Sequence, residues 1–297
     1  MKSAARGNKV MFFFMLYYLA IISGGVPIVA QVVGTSLLLM SIAIYLIGML
    51  VPFIIYMIIT RQKPKDVLLW APFGLRSAVL VSVISLCVLP VMYLIAFISS
   101  YILVPSSLYL SHEPLWAMLI VGSVLPSIFG GIWYIGVIYS EYEKVSIKRT
   151  AVIIGLFFGS AQFSFHQAVY ATLLGILMAY LVYYTRTILA PVLMYFIINS
   201  TSVIVIYFDF LTEEYIGSLA VSPLMYCVVL GGVSLVFTPV AVMCFKKLIA
   251  HRESIVPDMP TDDATAPKPR VLTWAFWAVM TVSIYLMWSV EMRMRAM

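Results

Sequence analysis

The polar side chains inside apolar stretches of this chain are its candidates for chemistry, because burying a polar group in an apolar environment is costly. Gln162 and His166 are four residues apart, and Tyr195, Asn199 and Ser202 follow one another at steps of four and three. Such spacings place side chains on one face of a helix. Two polar faces would form a hydrogen-bonded contact between helices, which either holds the helices together or is an active site. Spacing alone favours a contact that holds the helices together.

Acid and base chemistry has few agents at these positions. No Asp, Glu, Lys or Arg lies in the middle of an apolar run, which argues against proton pumps and ion-coupled transporters. His166 is the only histidine deep in such a run, and no carboxylate or second histidine lies at ligand spacing from it. We therefore predict neither a metal site nor a cofactor. The three cysteines are far apart within apolar runs and are predicted to be core residues.

The elements that position these residues must be membrane helices. Of the 297 residues, 63% are hydrophobic and only 10% are charged, and the mean hydropathy is +1.06. Soluble domains have roughly 25% charged residues, so this composition excludes a soluble or disordered chain. The apolar runs are continuous, which excludes the alternating pattern of a β-barrel. We predict an all-α, polytopic membrane helix bundle that resides in the lipid bilayer and has no nucleic-acid partner.

Nine apolar runs are candidate membrane spans. They cover roughly 10–24, 34–59, 77–103, 115–139, 150–166, 168–184, 188–208, 217–245 and 272–289. The fifth and sixth runs are separated only by 165–167, so they form two short helices, one kinked helix or a pair that does not fully cross. The predicted architecture is an eight-helix core plus a ninth C-terminal helix, give or take one span.

Basic residues determine the predicted orientation. With the N-terminus in the cytoplasm, 16 of the 18 lysines and arginines fall in cytoplasmic segments, and only Arg293 and Arg295 do not. This asymmetry follows the positive-inside rule. The basic N-terminus and its apolar run also resemble a secretory signal peptide. However, another long span follows at once without an evident small-x-small cleavage site, which favours an uncleaved first helix.

The chain divides into a membrane core at 1–249, a cytoplasmic linker at 250–271 and a C-terminal helix with its tail at 272–297. The linker is assigned because four prolines and three aspartates occur between 257 and 269. Such a composition is typical of flexible connections. The ninth helix is therefore expected to be an appendage of the core.

The order of several stretches in the middle of the chain resembles a known family. The stretches are 125–128, 133–137, 155–159, 170–175 and 189–200, and the resemblance covers about 115–205. The family is the CPBP family of intramembrane proteins, also called the CAAX protease and bacteriocin-processing, or Abi, family. The basic segment 60–64 is similar to the loop before the third helix of bacterial members. The resemblance implies a multi-pass protein of a bacterial cell membrane.

Active members of this family carry three motifs that converge inside the membrane, namely Glu-Glu-x-x-x-Arg, Phe-x-x-x-His and His-x-x-x-Asn. The resemblance implies a carboxylate base that activates water, with the histidines and asparagine orienting that water and stabilising the oxyanion. In this chain only two of the motif residues are kept. The motif positions are Gly130 and Gly131 for the glutamates, Ile135 for the arginine, Phe158 and Gln162 for the second motif, and Tyr195 and Asn199 for the third.

These replacements leave no obvious general base. Glycine cannot take a proton, and glutamine and tyrosine side chains do not titrate near neutral pH. Glu141 and Glu143 are the nearest carboxylates, but they are about 15 Å along the helix from Gly131 and are expected to be solvated partners of Lys144 and Lys148. We therefore expect no catalytic residues and interpret the chain as a pseudoprotease.

The leading hypothesis is an inactive protein that binds or scaffolds another membrane or envelope protein. One alternative is an active intramembrane endopeptidase with an altered site that uses His166, Tyr195 and Asn199. The other is a carrier of small molecules or lipids, which the absence of charges at membrane depth disfavours. The residues predicted to form a neutral polar groove are Gln162, His166, Tyr195, Asn199 and Ser202.

Overall fold

The computed structural model describes residues 3–26, 28, 31, 36–103, 113–216, 222–253 and 270–296, which form ten helices. This part of the chain contains no strand, only one isolated bridge between Trp70 and Thr187. The prediction of an all-α bundle is confirmed. The helices are α1 (Ala4–Gly25), α2 (Leu38–Thr60), α3 (Pro64–Leu68), α4 (Leu75–Ser100), α5 (Leu115–Glu141), α6 (Ile147–Ser160), α7 (Phe165–Thr185), α8 (Leu189–Ile216), α9 (Pro223–Glu253) and α10 (Trp274–Ala296).

Eight of these helices are long and apolar enough to cross a membrane, which confirms a polytopic bundle. The other two are α3, with 5 residues, and α6, with 14. At 1.5 Å per residue α6 is about 21 Å long, short of the roughly 30 Å that a bilayer core requires. The fifth and sixth predicted spans are therefore two separate helices, and only the second has spanning length.

Several helices extend beyond the apolar runs that predict them. Helix α1 begins at Ala4, α8 continues to Ile216 and α9 continues to Glu253. Backbone hydrogen bonding does not stop where the side chains become polar, so a helix can extend beyond its apolar, membrane-crossing part. Residues 254–269 of the predicted linker lie outside the described residues, and the linker stays a prediction.

Helices α6 and α7 form a hairpin that is held together by glycines. A Cβ atom on Gly175 of α7 would lie 2.9 Å from the Cα atom of Gly155 on α6. A Cβ atom on Gly159 would lie 2.8 Å from the carbonyl oxygen of Ala168. No side chain fits at these distances, so the two helices approach at the level of their backbones. The hairpin therefore holds Phe158 of α6 in a fixed position beside α7.

Helix α10 packs into the core, although the sequence predicts an appendage. Phe276 and Val279 are buried in the main hydrophobic cluster, and the ring of Phe276 lies 5.6 Å from that of Phe157 on α6. The Ser283 hydroxyl donates a hydrogen bond of 3.3 Å to the Met15 sulfur on α1. Helix α10 is therefore an integral part of the bundle, although a proline-rich stretch of sequence precedes it.

The carboxylate of Glu141, at the end of α5, is completely buried. Arg6 binds it with two nitrogens, Nε at 2.8 Å and Nη2 at 2.7 Å, and the Tyr56 hydroxyl donates to it at 2.5 Å. The expectation that Glu141 is a solvated partner of Lys144 is wrong. The close approach of α1 explains this, because a Cβ atom on Gly7 would lie 2.9 Å from the Cβ atom of Glu141. Glu143 pairs with Arg186 instead, at 3.4 Å.

Asn8 extends this junction to α10. Its side-chain amide donates to the carbonyl oxygen of Val271 at 2.7 Å and to the Thr273 hydroxyl at 2.8 Å, and its oxygen accepts from the Tyr142 hydroxyl. Burial raises the pKa of Tyr142 above its usual value, which keeps its hydroxyl protonated as a donor. At one end of the bundle, hydrogen bonds therefore connect α1, α2, α5 and the segment before α10.

Replacing Glu141 should destabilise the whole bundle. In Glu141→Gln the partly exposed Arg6 and the buried Tyr56 lose a charged acceptor, so we expect the free energy of unfolding to fall by about 2–3 kcal/mol. The matched control is Glu143→Gln, whose partly exposed pair should contribute less than about 1 kcal/mol. Thermal unfolding of the two purified variants in one detergent measures the difference. Equal melting temperatures would contradict this account of the junction.

Candidate functional site

The two glycines at the motif positions of α5 face α8 across a very short gap. A Cβ atom on Gly130 would lie 3.2 Å from Cε1 of Tyr195, and a Cβ atom on Gly131 would overlap the Val192 side chain. Both glycines are buried. A side chain at position 131 therefore does not fit unless the Val192 side chain changes its rotamer or α8 moves. The space beside both glycines is therefore occupied by side chains of α8.

Aromatic rings form the wall beside this contact. The Phe158 ring lies edge-on to Tyr195 at 5.2 Å and to Tyr134 at 5.1 Å, distances typical of favourable aromatic pairs. The Tyr195 hydroxyl is within hydrogen-bonding reach of the Asn199 side chain. The kept residues Phe158 and Asn199 are thus both in contact with Tyr195, which replaces a histidine.

Further tyrosines surround Tyr195, and sequence reasoning missed them. Tyr18, Tyr45, Tyr134 and Tyr170 are near enough to interact electrostatically with its hydroxyl. They come from α1, α2, α5 and α7, so no spacing along the chain reveals that they meet. The aromatic content of 14% is the only signal in the sequence. The site is therefore neutral and aromatic.

Ile135, at the position of the family's arginine, is 1% exposed and belongs to the main core. One residue further along, a Cβ atom on Gly136 would lie 2.9 Å from a methyl group of Leu68 on α3. This side of α5 is closed by aliphatic packing.

Gln162 and His166 do not share a helical face, and that prediction is wrong. Helix α6 ends at Ser160, a turn reverses the chain at Phe163 with a φ of 50°, and His166 lies in the first turn of α7. Ser164 immediately before α7 is a residue type that favours helix starts, which was the available signal for this break. Gln162 donates to the carbonyl oxygen of Phe158 at 3.2 Å.

His166 and Ser202 both contact α4 one helical turn apart. The Nε2 atom of His166 lies 3.0 Å from the Ala96 carbonyl oxygen, and the Ser202 hydroxyl lies 3.3 Å from that of Tyr93. The other ring nitrogen of His166 is buried and has no hydrogen-bond partner in the described part of the chain. Of the five predicted groove residues, the structure directly joins Tyr195 and Asn199. The other three form separate interhelical or local hydrogen bonds.

A groove opens toward the lipid beside the glycine pair, and we call it the lateral groove. Its volume is about 320 Å³. Ser127 contributes a buried hydroxyl without a hydrogen-bond partner among the described residues. Most of the remaining lining is apolar and comes from α5 and α8. Its lining includes Val124, Ser127, Ile128, Val192, Leu193 and Phe196.

The described residues contain no group of three or more His, Cys, Asp or Glu side chains that could hold a metal ion. Hydrogen bonds, ring contacts and aliphatic packing are the interactions that the motif region offers. The absence of metals and cofactors stays a prediction.

Comparison with known proteins supports the family resemblance. A family model described as Rce1-like, type II CAAX prenyl endopeptidase Rce1-like, matches residues 112–201. This stretch includes all seven motif positions, from Gly130 to Asn199. No curated protein and no solved structure matches the chain. The fold defines a multi-pass α-helical membrane protein. Within it, residues 112–201 are similar to the Rce1-like family of type II CAAX prenyl endopeptidases.

The contact between Gly131 and Val192 makes a side chain at position 131 costly. Gly131→Ala should destabilise the protein by about 1–3 kcal/mol, as overpacking does in tightly packed cores. In a Val192→Ala background, the destabilisation caused by Gly131→Ala should be smaller by at least about 1 kcal/mol, because the smaller side chain makes room for the added methyl group. Thermal unfolding of the two single variants and the double variant measures this coupling between positions 131 and 192.

The control for this cycle is Gly232→Ala on α9, where a Cβ atom would meet nothing within 4 Å. It should be neutral or slightly stabilising, because alanine favours helices. If Gly131→Ala and Gly232→Ala have the same effect on thermal unfolding, Gly131 of α5 is not in close contact with Val192 of α8.

Proposed function

We propose that this protein is a catalytically inactive relative of the CAAX proteases, which binds another membrane or envelope protein in a bacterial cell membrane. The observation that carries the proposal is the contact of Gly131 with Val192. The resemblance implies that Gly130 and Gly131 stand where active members carry glutamates, and a methyl group of Val192 fills the space beside Gly131. The proposal is therefore supported both by the missing carboxylates and by the close packing at this position.

Hydrolysis of a peptide bond needs a base to activate water and donors to stabilise the oxyanion. Glu141, the nearest carboxylate along α5, is about 15 Å from Gly131 and is occupied by Arg6 and Tyr56. Tyr195 and Asn199 are neutral near pH 7. Donors thus remain near the motif, but the base does not.

The unpaired ring nitrogen of His166 favours the second candidate, an endopeptidase with an altered site. A neutral imidazole can act as a general base. Against this, its other nitrogen contacts the Ala96 carbonyl oxygen on α4, and no carboxylate of the described residues orients the ring. A lone histidine of this kind is better explained as part of the contact between α4 and α7.

Binding is proposed to occur in the lateral groove. Ile128 and Phe196 on its rim are 44% and 39% exposed at membrane depth, where they would face lipid or a partner. The Ser127 hydroxyl is buried beneath this lining, so the lateral groove presents an apolar surface to its occupant. Van der Waals packing drives the association of membrane helices, and an apolar groove between α5 and α8 suits it. The proposed occupant is a transmembrane helix of another protein.

The inactive state has a direct test in purified protein. Reconstituted into proteoliposomes with a panel of prenylated and transmembrane peptides, the protein should cleave none of them, because no base activates water. An active CAAX protease on the same panel verifies the assay, and mass spectrometry detects products. Cleavage that disappears in His166→Ala or Asn199→Ala would refute the inactive state and support the altered site.

Partner binding should be confined to one face of the bundle. A photo-crosslinking amino acid at position 128 or 196 should capture the same membrane protein in native membranes, because both positions border the lateral groove. Matched controls are positions 235 and 236 on α9, where Leu235 and Val236 are 78% and 65% exposed. Equal capture from both faces, or only lipid adducts at 128 and 196, would argue against a partner helix in the groove.

A further inference from the structure

A second cleft lies outside the motif region, between the start of α6 and the segment that leads into α10. Its volume is about 610 Å³, and we call it the basic cleft. Lys148 and Arg149 border it from α6, and Arg270 borders it from the opposite side. Its apolar lining is completed by Val152 and Leu272. Three cations therefore converge on one space.

The acidic residues of the described region do not neutralise these cations. The ion pairs found there join Arg6 to Glu141, Arg186 to Glu143 and Arg295 to Glu291. Lys148, Arg149 and Arg270 are exposed and take part in none of these pairs. Like charges held together repel one another, and a bound anion would relieve that repulsion.

The walls of the basic cleft are apolar immediately next to its cations. Val152 lies one helical turn after Lys148 and is 49% exposed, and Leu272 lies two residues after Arg270 and is 53% exposed. Both segments lead into the bundle, so the apolar residues lie deeper in the membrane than the cations. Trp274, 59% exposed at the start of α10, is a residue type enriched at the membrane interface.

The two sides of the basic cleft are held in fixed relation. On one side Ile153 is buried at 4% exposure. On the other side the Asn8 side chain binds the carbonyl oxygen of Val271 and the hydroxyl of Thr273. The cleft thus lies beside the same junction that contains Glu141, with Lys148 and Arg149 on α6 and Arg270 in the non-helical segment before α10.

We propose that the basic cleft binds an anionic phospholipid, whose phosphate group contacts Lys148, Arg149 and Arg270 while an acyl chain lies against Val152 and Leu272. Charge complementarity favours this ligand, and so does the order of the side chains, with cations followed by apolar residues along both segments. Basic pockets between membrane helices on the cytoplasmic side are suited to anionic headgroups. This site is separate from the lateral groove, and it does not depend on whether the protein cleaves peptides.

The test measures lipid retention by native mass spectrometry of the full-length protein in detergent. Phosphatidylglycerol and phosphatidylcholine with identical chains are the probes, and the wild type should retain the anionic lipid at least about fivefold more tightly. The double variant Lys148→Gln/Arg270→Gln should lose about tenfold in affinity for phosphatidylglycerol, with binding of phosphatidylcholine unchanged.

The matched control is Arg76→Gln/Lys247→Gln, which removes the same charge from another interfacial pocket. It should keep the preference for the anionic lipid. Thermal unfolding in phosphatidylcholine verifies that both double variants are folded. Equal loss in both variants, or no preference in the wild type, would overturn the proposal. So would inorganic phosphate alone, if it stabilised the protein as much as phosphatidylglycerol does, because the ligand would then be free phosphate.

Discussion

The burial of one carboxylate, that of Glu141, is the constraint on which the rest of the structure depends. An ionised group without water is tolerated only when its hydrogen bonds are fully replaced. Arg6 supplies two of them and Tyr56 a third, so α1 and α2 must meet the end of α5 in one arrangement. Asn8 carries the same junction to the segment before α10. Because α5 also carries Gly130 and Gly131, its anchored end determines where the glycine pair stands relative to α8.

The described residues around Gly130 and Gly131 are neutral. Paired carboxylates inside a membrane carry a large desolvation cost, which glycines avoid. The space beside the two glycines is filled by Val192 and Tyr195 of α8, while Phe158 and Tyr134 pack edge-on. Packing and neutral hydrogen bonds are therefore the interactions at this place in the bundle. The buried ion pair is found at the end of the bundle instead.

Long apolar runs were sufficient to predict the all-α bundle, because a bilayer demands about 20 apolar residues per crossing. Gly130, Phe158 and Tyr195, which the family resemblance singles out, lie near one another in the structure. Sequence patterns could not predict the burial of Glu141, because its partner Arg6 is 135 residues away and nearby lysines favour a solvated position. They also missed the turn between Gln162 and His166. Both failures concern polar residues, whose surroundings depend on tertiary contacts and not on local periodicity.

The central claim is that the motif positions form a closed, neutral contact between α5 and α8. An experimental structure in lipid nanodiscs, at a resolution that shows ordered water, tests it most directly. The account predicts that Val192 packs on Gly131 and that no carboxylate or histidine lies within hydrogen-bonding distance of a water molecule in that space. A water molecule held between Gly131, Tyr195 and His166 would contradict it.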